Sequence, residues 1–277
     1  MNYKLKRGSL MKLNIPKINK LLLPIMLGVL LTGCNDTTST NIDSEFNTQQ
    51  KAQIEKIASQ YIINNPDVLV KASTTLQQQQ LQAQQMDAKQ AVLANLDQLL
   101  NDKATPFIGP EDAKVNVIEF FDYQCMYCSK IADTIKQLEV KNPDIKFIFK
   151  ETPIFASRWE ASKYAADMGN WIYQQKGGNT YAKYHNAVFA TGKDEGKLTK
   201  DDVNKIAISV GIDVTKFNVT DTVMNNFKLF RKLGFQGTPA LIIMPSKNVT
   251  TDNIHIINGY NPKALTKAIS DLQASTK

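Results

Sequence analysis

Three cysteines stand in 277 residues, one at Cys34 and two as Cys125-Met126-Tyr127-Cys128. A thiolate is both the nucleophile and the good leaving group of disulfide exchange. If the pair opens a helix, a spacing of three puts the second sulfur about one turn from the first, close enough to close a disulfide. Unpaired N–H groups and the positive end of the helix dipole then stabilise a thiolate at the first position. This assigns Cys125 as the attacking, solvent-facing sulfur and Cys128 as the resolving one. The same spacing serves a structural zinc or an inert disulfide. Zinc would need two more ligands, and the only histidines, His185 and His255, are far apart in sequence. Neither a metal nor a cofactor is expected.

The elements around the pair must place it. Residues 115–121, Val-Asn-Val-Ile-Glu-Phe-Phe, are apolar and β-rich, as expected of a strand covered on both faces. They lead through Asp122-Tyr123-Gln124 into a helix from about Cys125 to Val140, and a second strand fits residues 145–149. The period of two puts Glu119 on the face of Val117 and Phe121. Burial there would raise its pKa and suit it to relay a proton to Cys128; the alternative is a solvated Glu119, or one paired with Lys150. Further on, Gly237-Thr238-Pro239 precedes the apolar strand Ala240-Leu241-Ile242-Ile243. From sequence alone a trans X-Pro bond is the default, since cis makes up only ~5–6% of such bonds.

About 85 residues, 153–237, separate these halves and read as helical. Ala161, Tyr164, Ala165 and Met168 keep helical spacing, Gly177-Gly178 punctuates, and another helix fits residues 180–190. Thr199-Lys200-Asp201-Asp202 has the form of a capping box for the next, which Gly211 ends, and a last helix stops at Gly234. His185 in this region reads as a packing group rather than a catalytic one, and so does His255 in a strand near 254–257. A C-terminal helix begins near Pro262.

The N-terminus carries Lys4, Lys6, Arg7, Lys12, Lys17 and Lys20 ahead of an apolar run at 21–31. That run is too short to span a bilayer, which takes ~20 residues, so it reads as an export signal. Leu31-Thr32-Gly33-Cys34 resembles the lipobox of bacterial lipoproteins, which implies cleavage before Cys34 and its lipidation. Removing residues 1–33 takes away six basic residues and leaves 27 basic against 26 acidic, a net charge of +1. The basic character belongs to the signal and gives no reason to expect nucleic acid as a partner. Residues 34–47 read as a flexible tether.

Residues 48–103 are polar, glutamine-rich and helical. Ile54, Ile57, Ala58, Tyr61 and Ile62 recur at helical spacing, and Asn65-Pro66-Asp67 breaks the pattern. Leu69, Leu76 and Ala83 fall seven apart, as do Met86, Leu93 and Leu100, with Gln79, Gln90 and Asp97 interrupting the seam. So narrow an apolar stripe points to a dimerisation arm that pairs with a second copy; the plainer alternative is a helical pair packed on its own domain.

The stretch Glu119-Phe120-Phe121-Asp122-Tyr123-Gln124-Cys125-Met126-Tyr127-Cys128, together with Gly237-Thr238-Pro239-Ala240, resembles the DsbA-like thiol:disulfide oxidoreductases of the thioredoxin superfamily over nearly all of 107–274. The resemblance implies an α/β thioredoxin fold in residues 104–277 with an inserted helical domain at about 153–237, preceded by an N-terminal α-helical arm. It implies that Pro239 is cis and stands against the disulfide, that Thr238, Pro239, Met126 and Tyr127 face a bound client, and that Glu119 is the buried acid below the site. The arm and lipobox resemble the dimeric, lipid-anchored members of intracellular Gram-negative bacteria. Two departures stand out. Met126-Tyr127 replaces the Pro-His of the strongly oxidising members, which implies a less acidic Cys125, and Thr238 is a residue type also found in isomerases.

The expected activity is the forming or isomerising of disulfides in exported proteins on the periplasmic side of a membrane. The resemblance implies the outer membrane, an expectation that Asn35 in place of Asp after the lipidated cysteine strengthens, and a quinone-coupled oxidase or a membrane reductase would reset the pair. A lipid-anchored chaperone or surface antigen without essential redox turnover is the alternative.

Overall fold

The computed structural model describes residues 46–275 and divides the chain into two units, one ending at Asn65 and one beginning at Pro66. Cys34, the signal and most of the tether lie outside the described residues.

In the first unit, helix α1 (Thr48–Asn64) starts at a reciprocal cap. Asn47 Oδ1 accepts from Gln50 N–H and the Asn47 N–H donates to Gln50 Oε1, both at 2.9 Å. None of its residues is buried; Ile54, Ile57, Tyr61 and Ile62 are all exposed.

The second unit begins with α2 (Asp67–Leu93), followed by α3 (Leu96–Leu100) and the strands β1 (Phe107–Ile108) and β2 (Val115–Phe121). Then come α4 (Met126–Lys141), β3 (Lys146–Glu151), α5 (Glu160–Lys176), α6 (Gly178–Ala190), α7 (Lys200–Ser209) and α8 (Thr222–Lys232). The chain finishes with β4 (Ala240–Pro245), β5 (His255–Asn258) and α9 (Pro262–Ser275). The sheet order is β1-β3-β2-β4-β5, with β2 and β3 parallel and the other pairs antiparallel. A parallel βαβ half and an antiparallel ββα half, separated by α5–α8, make the expected thioredoxin-like fold with a helical insertion.

Every residue of β2, β3 and β4 is buried, because the sheet carries a core on each face. Val117, Phe121, Phe147, Phe149, Leu241 and Ile243 pack with α4, α9 and the helices α5 to α7. Ile118, Phe120, Ile148, Ile242 and Met244 pack with Leu229 and Phe230 of α8 and with Val92 and Leu99.

That last pair changes the reading of residues 48–103 as one arm. Leu69, Leu76 and Met86 of the heptad seam are exposed, but from Lys89 onward the segment is part of the domain. Val92 and Leu99 are fully buried, Lys89 Nζ donates to Thr251 O at 2.8 Å, and the buried Lys150 Nζ donates to Gln98 O at 2.8 Å. The apolar stripe is therefore shared, its first part open and its last part covering one face of the sheet. A second difference is β1. It adds an antiparallel edge, Phe107 opposite Ile148, since Gly109 turns at φ 95° with Ile145 O where a Cβ would sit.

Inside the insertion, the Thr199 hydroxyl accepts from Asp202 N–H at 3.2 Å while Asp202 Oδ2 accepts from Thr199 N–H at 3.0 Å, the expected capping box. His185 is buried among Phe121, Tyr123, Phe149, Tyr181 and Phe189, its ring 4.8 Å from that of Phe149. Burial lowers its pKa from 6.5 to about 4, so it is a neutral packing group.

Candidate redox site at the start of α4

The fully buried β2 ends at Phe121, and four residues later Cys125 is the N-cap of α4. Its N–H donates to Asp122 O at 3.0 Å and its carbonyl accepts from Ser129 N–H at 3.0 Å. The backbone at Cys125 is thus fixed on both sides. Cys128 is fully buried and Cys125 is 4% exposed. The expected solvent-facing sulfur is more covered than the spacing suggested, because β4 and its preceding loop close over it: Cys125 Sγ lies 3.2 Å from Thr238 O. Both cysteines are free thiols.

The two sulfurs have opposite acidities. Cys125 is lowered from 9.0 to about 6, first by the hydrogen bond it receives from the Cys128 thiol, then by Thr238 and by the N–H groups of Cys128 and Tyr127; burial works against these. As a thiol, Cys125 gives its proton to the Thr238 carbonyl. As a thiolate it no longer donates, and the Thr238 hydroxyl, buried and otherwise without a partner, is free to turn to it. Cys128 is raised well above 9.0 by burial and by commitment of its proton to Cys125, with Glu119 adding to the effect.

Glu119 lies on the Val117 and Phe121 face, opposite Phe149 and Leu241 of the flanking strands. It is 3% exposed and Oε2 has no partner. Burial, then Glu139, then Cys125 raise it from 4.5 to about 8. It does not meet Lys150, whose ammonium donates to Gln98 O, Thr105 Oγ1 and Asp102 on the other side of the sheet. The Thr238–Pro239 bond is cis, Pro239 O accepts from Gly259 N–H at 2.8 Å, and both residues are buried. Met126 is half-buried, and Tyr127 is exposed with Lys130 Nζ 5.4 Å from its ring centre.

Cys125, Cys128, Glu119, Thr238 and Pro239 are therefore gathered at one end of the sheet, with Met126 and Tyr127 on its rim. Sequence reasoning did not single out the residues that hold the connecting segment. Asp122 accepts from Gln124 N–H at 2.8 Å, Phe155 N–H at 2.9 Å and Ser162 Oγ at 2.8 Å. Glu151 accepts from Tyr123 and Tyr181 hydroxyls at 3.1 and 3.0 Å, and burial raises its pKa well above 4.5. The only sequence signal was a polar run between a largely apolar strand and the cysteines. Among the described residues no cluster of three or more His, Cys, Asp or Glu suits a metal ion.

A thiol pair at a helix start, facing a cis-proline loop on a thioredoxin-like sheet, defines a thioredoxin-fold dithiol protein. The thioredoxin family model matches residues 101–255, and the copper resistance protein ScsC N-terminal domain matches residues 50–83. The chain belongs to the thioredoxin-like family, in its DsbA-like thiol:disulfide oxidoreductase branch. The crystal structure of Salmonella enterica Typhimurium BcfH is similar at 36% identity and a TM-score of 0.72, covering 83% of this chain and 98% of that one. Proteus mirabilis ScsC in a transitional conformation is 25% identical, with a TM-score of 0.56, over 84% and 99% of the two chains. The thiol-disulfide exchange protein alpha-DsbA2 of Wolbachia pipientis is 28% identical, with a TM-score of 0.57, over 69% and 98%. No curated protein matches the sequence.

Proposed function

We propose that this protein exchanges disulfides with exported client proteins through Cys125 and Cys128. The observation that carries the reading is the placement of Cys125, the N-cap of α4 with its sulfur 3.2 Å from Thr238 O beside the cis-proline, where its pKa is lowered to about 6 while that of the buried Cys128 is raised. In the oxidising direction a client thiolate attacks the Cys125 sulfur of the disulfide, forming a mixed disulfide, and Cys128 leaves. Neutral Glu119 supplies the proton that Cys128 takes up. A second client thiolate then attacks the client sulfur, and Cys125 departs as a stabilised thiolate with the client's two electrons left on the pair. In isomerisation, reduced Cys125 attacks a wrong client disulfide. Cys128, giving its proton to ionised Glu119, releases a trapped complex.

The client strand lies along Thr238 and Pro239, with Met126 and Tyr127 beneath it. A quinone-coupled oxidase or a reductase in the membrane resets the pair. Cys34 anchors the chain by lipid on the periplasmic side of a bacterial membrane, the outer one by the Asn35 argument. Copies associate as a homodimer through the open stripe of α1 and the first part of α2. Support for the arm comes from the exposed Ile54, Ile57, Leu69 and Leu76.

The test is the equilibrium of the pair in residues 35–277 against glutathione. A lowered Cys125 favours the reduced form, so the disulfide is expected to be more oxidising than glutathione, and Cys125→Ser to abolish exchange. A potential at or below that of glutathione would turn the reading to an isomerase or reductase. A pair that never exchanges, or a Cys125→Ser variant that keeps its cellular role, would leave the chaperone or antigen reading in its place.

A further inference from the structure

The residue immediately before the nucleophile is held by the helical insertion rather than by the thioredoxin sheet. Gln124 is fully buried. Its carbonyl accepts from Glu195 N–H at 3.0 Å, its Oε1 from Gly196 N–H at 2.7 Å, and its Nε2 donates to Leu198 O at 3.0 Å. A backbone donor on one side and a backbone acceptor on the other fix which end of the amide is oxygen. Both ends of the side-chain amide are thereby bonded to one short loop.

That loop is bent to reach it. Glu195 lies at φ 48° and Gly196 at φ 92°, and a Cβ on Gly196 would stand 2.6 Å from Trp159 Nε1. A non-glycine residue in the left-handed region is strained and persists where its surroundings hold it there. Here Gln124 on one side and Trp159 on the other do so. One peptide bond then carries that restraint to Cys125, whose sulfur sits 3.2 Å from Thr238 O. No other part of the insertion is joined so closely in sequence to a reacting atom.

We propose that Gln124 is a positioning residue for thiol exchange: by clamping the 195–198 loop of the insertion it holds the Cys125 sulfur over the start of α4 and against Thr238. This rests on the exchange activity proposed above. The helical insertion thus acts on the chemistry through Gln124, and its loop is part of the redox site.

Gln124→Met keeps nearly the same volume and the backbone bond to Glu195, and removes both side-chain bonds. In reduced full chain lacking the signal and Cys34, thiolate absorbance gives the Cys125 midpoint directly. The variant is expected to titrate about one unit above wild type, and its equilibrium with glutathione at pH 7 to move about fivefold toward the disulfide. Tyr164→Phe is the structural comparison. It loses the 2.7 Å bond from Tyr164 Oη to Asn204 within the insertion, and should lower Tm while leaving the midpoint in place. If Gln124→Met does not fold, Gly196→Ala drives a Cβ against Trp159 and pushes the loop off Gln124, and its midpoint should rise in the same way. An unchanged midpoint in whichever of these folds, whatever happens to Tm, overturns the positioning role while leaving exchange by the wild type intact. A wild type that does not exchange fails the activity itself.

Discussion

At the scale of single residues the site works by placing protons unequally. Cys125 is depressed to about 6 in the fold against 9.0 unperturbed, so ionisation stabilises the reduced fold fully above pH 9, and that contribution is lost as the pH falls through about 6. Glu119 runs the other way. Its folded pKa of about 8 lies above the unperturbed 4.5, so its contribution is fully present below pH 4.5 and is lost as the pH rises through about 8. Glu119→Gln has no proton to lose. The reduced variant should therefore gain on wild type as the pH rises from 4.5 to 8, by up to ~4 kcal/mol, measured by urea unfolding at several pH values. The same variant should slow release of the mixed disulfide at Cys128, because the carboxylate proposed to take its proton is gone. A stability difference that does not change with pH would remove Glu119 from the titrating site.

At the scale of elements, the sheet is held from beneath by a buried lysine. Lys150 on β3 is fully buried, donating to Gln98 O at 2.8 Å and Thr105 Oγ1 at 2.9 Å, with Asp102 at 3.5 Å. It joins α3 and the turn after it to the face opposite the thiols. Burial lowers its pKa from 10.5 to about 8, with Asp102 opposing. Lys150→Met fills the space but takes the ammonium from Asp102, which keeps Thr105 Oγ1 and Ala104 N–H as donors, and leaves the Gln98 carbonyl and Thr105 Oγ1 without the lysine's hydrogen bonds. It should cost about 3 kcal/mol in urea unfolding at pH 7 and leave the redox potential unchanged, since Glu119 and the cysteines lie across the sheet. A shifted potential would mean that the two faces are coupled.

At the scale of the whole molecule the question is what the open stripe of α2 meets. Leu69, Val70, Leu76, Leu81 and Met86 are exposed in a helix whose last turns are built into the domain core. Cutting the chain after Lys103 would remove Val92 and Leu99 from that core, so substitution is the cleaner experiment. Leu69→Lys with Leu76→Lys should lower the light-scattering mass from that of an assembly of copies to that of one chain, with the glutathione equilibrium of the thiols unchanged. An unchanged mass would rule out association through this stripe.

Much of this was legible in the sequence, because local signals are carried by local residues. A largely apolar strand, a C-x-x-C that opens a helix, a Thr-Pro before a second apolar strand and the capping box at Thr199 each specify a short element wherever it lies in the fold. The residues of the pair and the strand face of Glu119 followed from spacing alone. The cis state of Thr238–Pro239 came only from family resemblance, since spacing does not distinguish the isomers. What the sequence could not give were partners distant along the chain. Gln124 meets Gly196 and Leu198, Asp122 meets Ser162, Lys150 meets Gln98, and Leu93 and Leu100, the last two positions of an apolar stripe that reads as an oligomer seam, pack against the domain core. Residue types and their periodicity determine which elements form and which face each seeks to bury. Only the closed tertiary structure decides what satisfies a buried polar group, because that depends on which backbone happens to lie beside it.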